Sequence, residues 1–165
     1  MKLLSPDLYY ASVHAIDLDV LAAAGVSALL VDLDNTLLPR DTNIVSDDAK
    51  AWAAAVAERG FRLCLVSNNW HDRVKTVADG LGCALVDKAL KPLPFAFRKA
   101  LRILGARPNE AAVIGDQLFT DILGGSLVGV ARTVLVMPLS RSDLPHTLAL
   151  RLMEGRILAD RQPLA

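Results

Sequence analysis

Five short strand-like segments recur along this chain, each separated from the next by a stretch of helical length, and that alternation sharply limits the folds open to it. The segments are Ala28–Leu33, Arg62–Val66, Ala84–Val86, Ala111–Ile114 and Thr133–Val136. Their apolar residues run continuously instead of alternating with polar ones, as expected of strands covered on both faces in a parallel sheet. Asp47–Arg59, His71–Leu81, Pro94–Leu104 and Phe119–Leu127 read as the intervening helices, and Leu18–Ala24 as one more ahead of the first strand. Ser46 suits the N-cap of the helix from Asp47, while Gly60, Gly82 and Gly105 follow helix ends. The pattern predicts an α/β fold with a mostly parallel, five-stranded sheet and right-handed crossovers. With 165 residues, no repeats and no linker-like stretch, one domain over 1–165 is expected.

A parallel sheet brings every strand's carboxyl end to one edge, where open α/β sheets bind their ligands. The first strand runs into Asp32-Leu33-Asp34-Asn35-Thr36, the second into Ser67-Asn68-Asn69, and the fourth into Gly115-Asp116 with Asp121 shortly after. Lys91-Pro92 falls in the loop after the third. Asp32, Asp34, Ser67, Asn68, Lys91, Asp116 and Asp121 can therefore converge although they are far apart in the chain. Taken singly, each stretch is an ordinary polar turn; their order, each after a strand, is what carries information. Close carboxylates repel one another, and a divalent cation with hard oxygen ligands relieves that repulsion. A serine at a helix start can hold an anion, and a lysine supplies compact positive charge for phosphate or for a carboxylate.

Composition excludes several alternatives. The 18 basic and 18 acidic residues cancel, so no global field points to nucleic acid. Mean hydropathy is high at +0.36, yet no apolar run approaches the ~20 residues of a membrane span. Met1–Asp7 breaks too early to read as a signal peptide, which points to the cytoplasm. Cys64 and Cys83 form no disulfide framework, and His14, His71 and His146 show no ligand spacing, although His71 follows the Ser67 turn and is placed either to line the site or on the surface.

The order Asp32-x-Asp34-x-Thr36, Ser67-Asn68, Lys91, Gly115-Asp116-x-x-x-x-Asp121 resembles the haloacid dehalogenase superfamily of phosphatases. Within it the chain is most similar to the class IIIA, YqeG-like branch, which includes phosphatidylglycerophosphate phosphatases. The similarity extends through Gly124-Gly125 and the tail Pro138–Leu158, and so covers nearly the whole chain. Trp70-His71 departs from the branch's pattern. The resemblance implies a three-layer, Rossmann-like core followed by a C-terminal helix.

It also implies site roles. Asp32 would be the nucleophile and Asp34 the acid/base. Thr36, Ser67, Asn68 and Lys91 would bind phosphate, Lys91 also balancing the charge on Asp32. Mg²⁺ would be held by Asp32, the Asp34 carbonyl and Asp116, with Asp121 supporting metal-bound water or orienting Lys91. An Asp at position 34, where the related P-type ATPases carry Thr, implies hydrolysis of an aspartyl-phosphate. Only 32 residues lie between Asp34 and Ser67, and 23 between Ser67 and Lys91. One helix and one strand consume most of each gap, so no inserted cap domain is expected and the site should be open.

An open site suits a substrate whose bulk stays outside, and the resemblance then implies hydrolysis of phosphatidylglycerophosphate by a cytoplasmic enzyme with peripheral contact at the inner membrane face. The alternatives are a phosphatase of a soluble sugar phosphate, nucleotide or phosphoprotein, covered by a second copy in a homo-oligomer, and a non-catalytic phosphate-binding or scaffold protein. Arg40, Arg73 and Arg98 either surround the entrance or are ordinary solvated residues. The tail Leu144–Leu158 is apolar around most of its axis and either covers the core or meets a partner or lipid.

Overall fold

A computed structural model of the chain describes residues 3–40, 42, 44–70, 72–140 and 145–165, with side chains omitted for 145–149 and 151. The expectation for His71, and those for Leu144, Leu148 and Arg151 in the tail, lie outside the described residues or side chains.

Six strands form one sheet: β1 (Leu8–Tyr10), β2 (Ala28–Val31), β3 (Arg62–Val66), β4 (Ala84–Val86), β5 (Ala111–Gly115) and β6 (Arg132–Val136). Their order is β1-β6-β5-β2-β3-β4, and every pair is parallel. The sequence pattern predicts five strands, and β1 is the sixth. Leu8-Tyr9-Tyr10 is too short to signal a strand alone, and its pairing with Val134–Val136 is a long-range contact. Asp7 secures the register: its carboxylate accepts from Thr133 N–H at 2.7 Å and Thr133 Oγ1 at 3.0 Å. On the outer side of β1, Leu164 donates to Tyr9 O at 2.8 Å and accepts from Ala11 N–H at 2.8 Å, so the chain's end covers a sheet edge.

The helices are α1 (Leu18–Ala23), α2 (Asp47–Glu58), α3 (Arg73–Leu81), α4 (Pro94–Leu104), α5 (Leu123–Val128) and α6 (Pro145–Ile157). Ser46 caps α2 by accepting from Ala49 N–H at 3.1 Å. The helix expected over Phe119–Leu127 is split: a π-helical turn, Leu118–Ile122, leads into α5.

Both faces of β2 are buried, which is why its apolar run is unbroken. Leu29 and Val31 join a core with α1, α2 and α3 through Leu21, Trp52, Val56, Val74 and Val77. Ala28 and Leu30 face the opposite core, made with Ala96, Phe97, Ala100 and Leu101 of α4. The result is three layers, helices on both sides of the sheet. α5 approaches α4 closely because Gly124 has no side chain; a Cβ there would lie 2.2 Å from Phe97 Cε2. Cys64 is buried in the sheet, and burial pushes its thiol up to about 12, well out of the range of a working nucleophile. No described helix is long and apolar enough to cross a membrane.

Candidate active site

β2 lies between β3 and β5 in mid-sheet, so the segment leaving it emerges at the centre of the carboxyl edge. The chain turns at once. Leu33 O accepts from the N–H groups of Thr36, Leu37 and Leu38 at 3.3, 3.0 and 3.1 Å, and Asn35 takes a left-handed conformation with φ of 64°. Asn is one of the few non-glycine residues that accept such backbone. Asn35 is fully buried and tied to the loop after β6, accepting from Ser140 Oγ at 2.6 Å and from Leu139 N–H at 2.9 Å.

This turn folds Thr36 back over Asp32. The Thr36 hydroxyl lies 3.1 Å from Asp32 Oδ2 and 3.4 Å from Asp116 Oδ1, and donates to one of them at a time. From the far side Lys91 Nζ donates to Asp32 Oδ1 at 2.5 Å and to Asp121 Oδ1 at 2.7 Å. Asp121 Oδ2 accepts from Thr120 Oγ1 at 3.1 Å and Gln117 N–H at 3.3 Å, which fixes the carboxylate that faces Lys91. Asp32, Thr36, Lys91, Asp116 and Asp121 are all buried and form one connected group.

Ser67, buried at the end of β3, accepts from Asn69 N–H at 3.1 Å. The Asn68 side chain holds the backbone of Lys91, with Lys91 N–H donating to its Oδ1 at 2.7 Å. Asp34 is placed differently. Its carboxylate turns from the acidic group toward Arg73, whose two terminal nitrogens each lie 2.8 Å from Oδ1, and toward Asn69 Nδ2, 3.1 Å from Oδ2.

Among the described residues, Asp32, Asp116 and Asp121 offer carboxylate oxygens within 4.8 Å of one another. Burial is the main force on Asp32 and pushes its carboxyl up to about 8. Lys91 pulls the other way without prevailing, while Asp121 and Asp116 push it up further. Burial by itself would lower Lys91, but the attraction of Asp121 and Asp32 prevails and raises it. Three carboxylates against one ammonium leave excess negative charge in a buried place. A hard divalent cation fits that donor set and would reverse the force on Asp32.

The family model for haloacid dehalogenase-like hydrolases matches residues 12–129, which carry Asp32, Asp34, Thr36, Ser67, Asn68, Lys91, Asp116 and Asp121. The chain belongs to the haloacid dehalogenase-like hydrolases, among their phosphatases. It is 36% identical to the probable phosphatase YqeG of Bacillus subtilis over 158 residues, 96% of this chain and 91% of that protein. It is 30% identical to the mouse N-acylneuraminate-9-phosphatase over 125 residues, and there it spans 67% of its own length but only 50% of the relative's. The cobalt-bound deoxy-D-mannose-octulosonate 8-phosphate phosphatase of Haemophilus influenzae shares the fold, with a TM-score of 0.56 at 14% identity over 82% of this chain and 89% of that one.

Within this haloacid dehalogenase-like hydrolase no cap domain stands among the described residues between β2 and α2 or between β3 and β4, in line with the short gaps. Arg73 and Asn69 are the site residues that sequence reasoning underrated. A signal for Arg73 was available, because a cation in the first turn of a helix opposes the helix dipole and needs another partner to hold it there. Of the other two arginines, Arg98 stands exposed on α4, and Arg40 has its Nε buried with no hydrogen-bond partner among the described residues.

Proposed function

We propose that this chain, as one hydrolase domain, is a Mg²⁺-dependent phosphomonoesterase that works through a phosphorylated Asp32. The observation that carries the reading is the junction of Lys91 with both Asp32 and Asp121 beside Asp116, a buried group with an excess of hard oxygen donors. An Asp32 oxygen attacks phosphorus as the bond to the ester oxygen breaks, and the leaving alkoxide takes a proton from the Asp34 carboxyl group. Asp34 then removes a proton from the water that attacks the aspartyl-phosphate, releasing inorganic phosphate and free Asp32. Lys91 holds Asp32 in place and offsets charge on the phosphoryl oxygens, while Thr36, Ser67 and the backbone N–H of Asn68 bind those oxygens. Asp121, ion-paired with Lys91, keeps that ammonium aimed at Asp32. Mg²⁺, held by Asp32, Asp116 and the Asp34 carbonyl, would supply positive charge to the phosphoryl group.

For the substrate, we favour an anionic lipid phosphate, phosphatidylglycerophosphate, met at the cytoplasmic face of a membrane. Among the described residues no cap covers the site, and large apolar side chains stand exposed on the segments that follow the strands around its mouth. Trp70 follows β3, Leu90, Leu93 and Phe95 follow β4, and Met137 and Leu139 follow β6. Exposed Trp, Phe and Leu suit the interfacial layer of a bilayer, with Lys88 Nζ 5.8 Å from the Trp70 ring centre as a cation for anionic headgroups.

The test is phosphate release from a panel of phosphatidylglycerophosphate in mixed micelles, sugar phosphates, nucleotides and a phosphopeptide, with Mg²⁺ and again with chelator. Preference for the lipid, dependence on Mg²⁺ and complete loss in Asp32→Asn are expected. Robust turnover of a soluble phosphate without lipid hydrolysis would overturn the lipid assignment, and hydrolysis surviving in Asp32→Asn would overturn the nucleophile. No hydrolysis of any substrate would favour a non-catalytic phosphate-binding role.

A further inference from the structure

We propose that Arg73 is the positioning residue for Asp34, and that it leaves Oδ2 of Asp34 as the atom that carries the transferred proton. The inference rests on the acid/base role proposed for Asp34. Both side chains are largely withdrawn from water, at 12% and 11% exposure, so their pairing is not a loose surface contact. Both terminal nitrogens of Arg73 point at the same oxygen, Oδ1, each at 2.8 Å. The guanidinium is itself anchored, with Nε donating to Thr42 O at 2.6 Å and one terminal nitrogen 3.5 Å from Pro39 O. Pro39 and Thr42 belong to the segment that follows the Asp34 turn, so Arg73 joins the start of α3 to the loop it serves.

This geometry restrains the rotation of the Asp34 side chain in a way that one flexible donor could not. A planar fork with a second anchor at Nε restricts both χ angles of the carboxylate it grips. It also makes the two oxygens unequal. Oδ1 receives two charge-assisted N–H bonds from Arg73, which disfavour a proton there, whereas among the described residues Oδ2 receives a single N–H, from Asn69 at 3.1 Å. Oδ2 therefore keeps a direction open for a proton. In the first step the Oδ2–H bond breaks as the proton passes to the leaving oxygen; in the second, Oδ2 takes a proton back from water. Neither step changes the contacts at Oδ1. Helix stability gives no competing reason for Arg73, since a positive charge in a first turn is unfavourable there.

Leaving-group dependence tests this. Expulsion of a simple alkoxide needs a well-placed acid, whereas expulsion of p-nitrophenolate hardly does. The full-length protein with Mg²⁺ is assayed on p-nitrophenyl phosphate and on an alkyl phosphate, comparing kcat/KM, which reports the phosphoryl-transfer step. In Arg73→Met the alkyl value is expected to fall by about 10- to 100-fold, while the p-nitrophenyl value stays within about threefold. Arg73→Lys, which keeps the charge but not the fork, is expected to fall between wild type and Arg73→Met, and it serves as the test if Arg73→Met does not fold. Parallel losses on both substrates, or no loss on either, would overturn the inference, since a phosphate-binding or merely structural arginine affects both alike. Asp34→Asn separates the two layers of the argument. If it lacks the selective loss, the role of Asp34 fails and the inference with it; if it shows the loss and the Arg73 variants do not, only the inference fails.

Discussion

Glu154, in the last helix, accepts a hydrogen bond at 2.7 Å from the backbone N–H of Leu118, the first residue of the π-helical turn that carries Asp121. Glu154 is 5% exposed. The tail thus supplies an acceptor to a helix-start donor that has none within its own turn. Leu158 of the same segment packs beside Leu118, Ile122 and Leu135. In Glu154→Ala the buried N–H loses this partner, and a cost of about 1–3 kcal/mol is expected. Tm, read by circular dichroism, should fall by about 3–9 °C. Glu154→Gln keeps an acceptor and should lose less. Unchanged melting in Glu154→Ala would show that this bond does not hold the tail to the site.

Gly115 ends β5 directly beneath Asp121. A Cβ at that position would sit 2.2 Å from Asp121 Cγ and 2.4 Å from its Oδ2. Gly115→Ala must therefore displace the carboxylate that grips Lys91. Turnover of p-nitrophenyl phosphate should drop by about 100-fold, as expected when a catalytic group is misplaced by about an ångström. A variant with wild-type kcat would mean that Lys91 does not need Asp121.

The raised Asp32 carboxyl links stability to pH. Without a divalent cation the folded protein binds the Asp32 proton more tightly than the unfolded chain does. The stabilisation is complete below about pH 4 and is lost as pH rises through about 8. Lys91, raised above its ordinary value, stays charged throughout this window and contributes no slope. In chelator, Tm should fall by several degrees between pH 5 and 8. With excess Mg²⁺ the ion replaces the proton, so Tm should be higher at pH 8 and fall less steeply with pH, the gain being about 2.7 kcal/mol at 100 times Kd. Melting curves that respond to pH identically with and without Mg²⁺ would contradict the metal assignment.

Trp70 offers a direct probe of the mouth. It is 64% exposed, while Trp52, the other tryptophan, is 6% exposed in the core. Vesicles containing phosphatidylglycerol should shift the emission to the blue, and Trp70→Ala should abolish the shift. The variant should also sediment with vesicles about tenfold more weakly, for the loss of one large apolar side chain. Emission that is indifferent to vesicles would remove the membrane contact from the reading.

Local sequence determined the layered α/β fold, because each element declared itself: continuous apolar runs demand cover on both faces, and Ser46, Gly82 and Gly105 bound helices by rules that act within a few residues. Once a parallel sheet was implied, the convergence of Asp32, Lys91, Asp116 and Asp121 at one edge followed from topology without side-chain detail. Tertiary structure alone decided the rest. β1 exists because Val134–Val136 and Leu164 flank three residues that would not form a strand on their own. The burial of Glu154 against Leu118 and the turn of Asp34 away from the other aspartates toward Arg73 depend on partners 36 and 39 positions away. A sequence records which charges a chain carries; desolvation and the direction of a side chain, which decide how those charges pair, arise only when distant segments pack together.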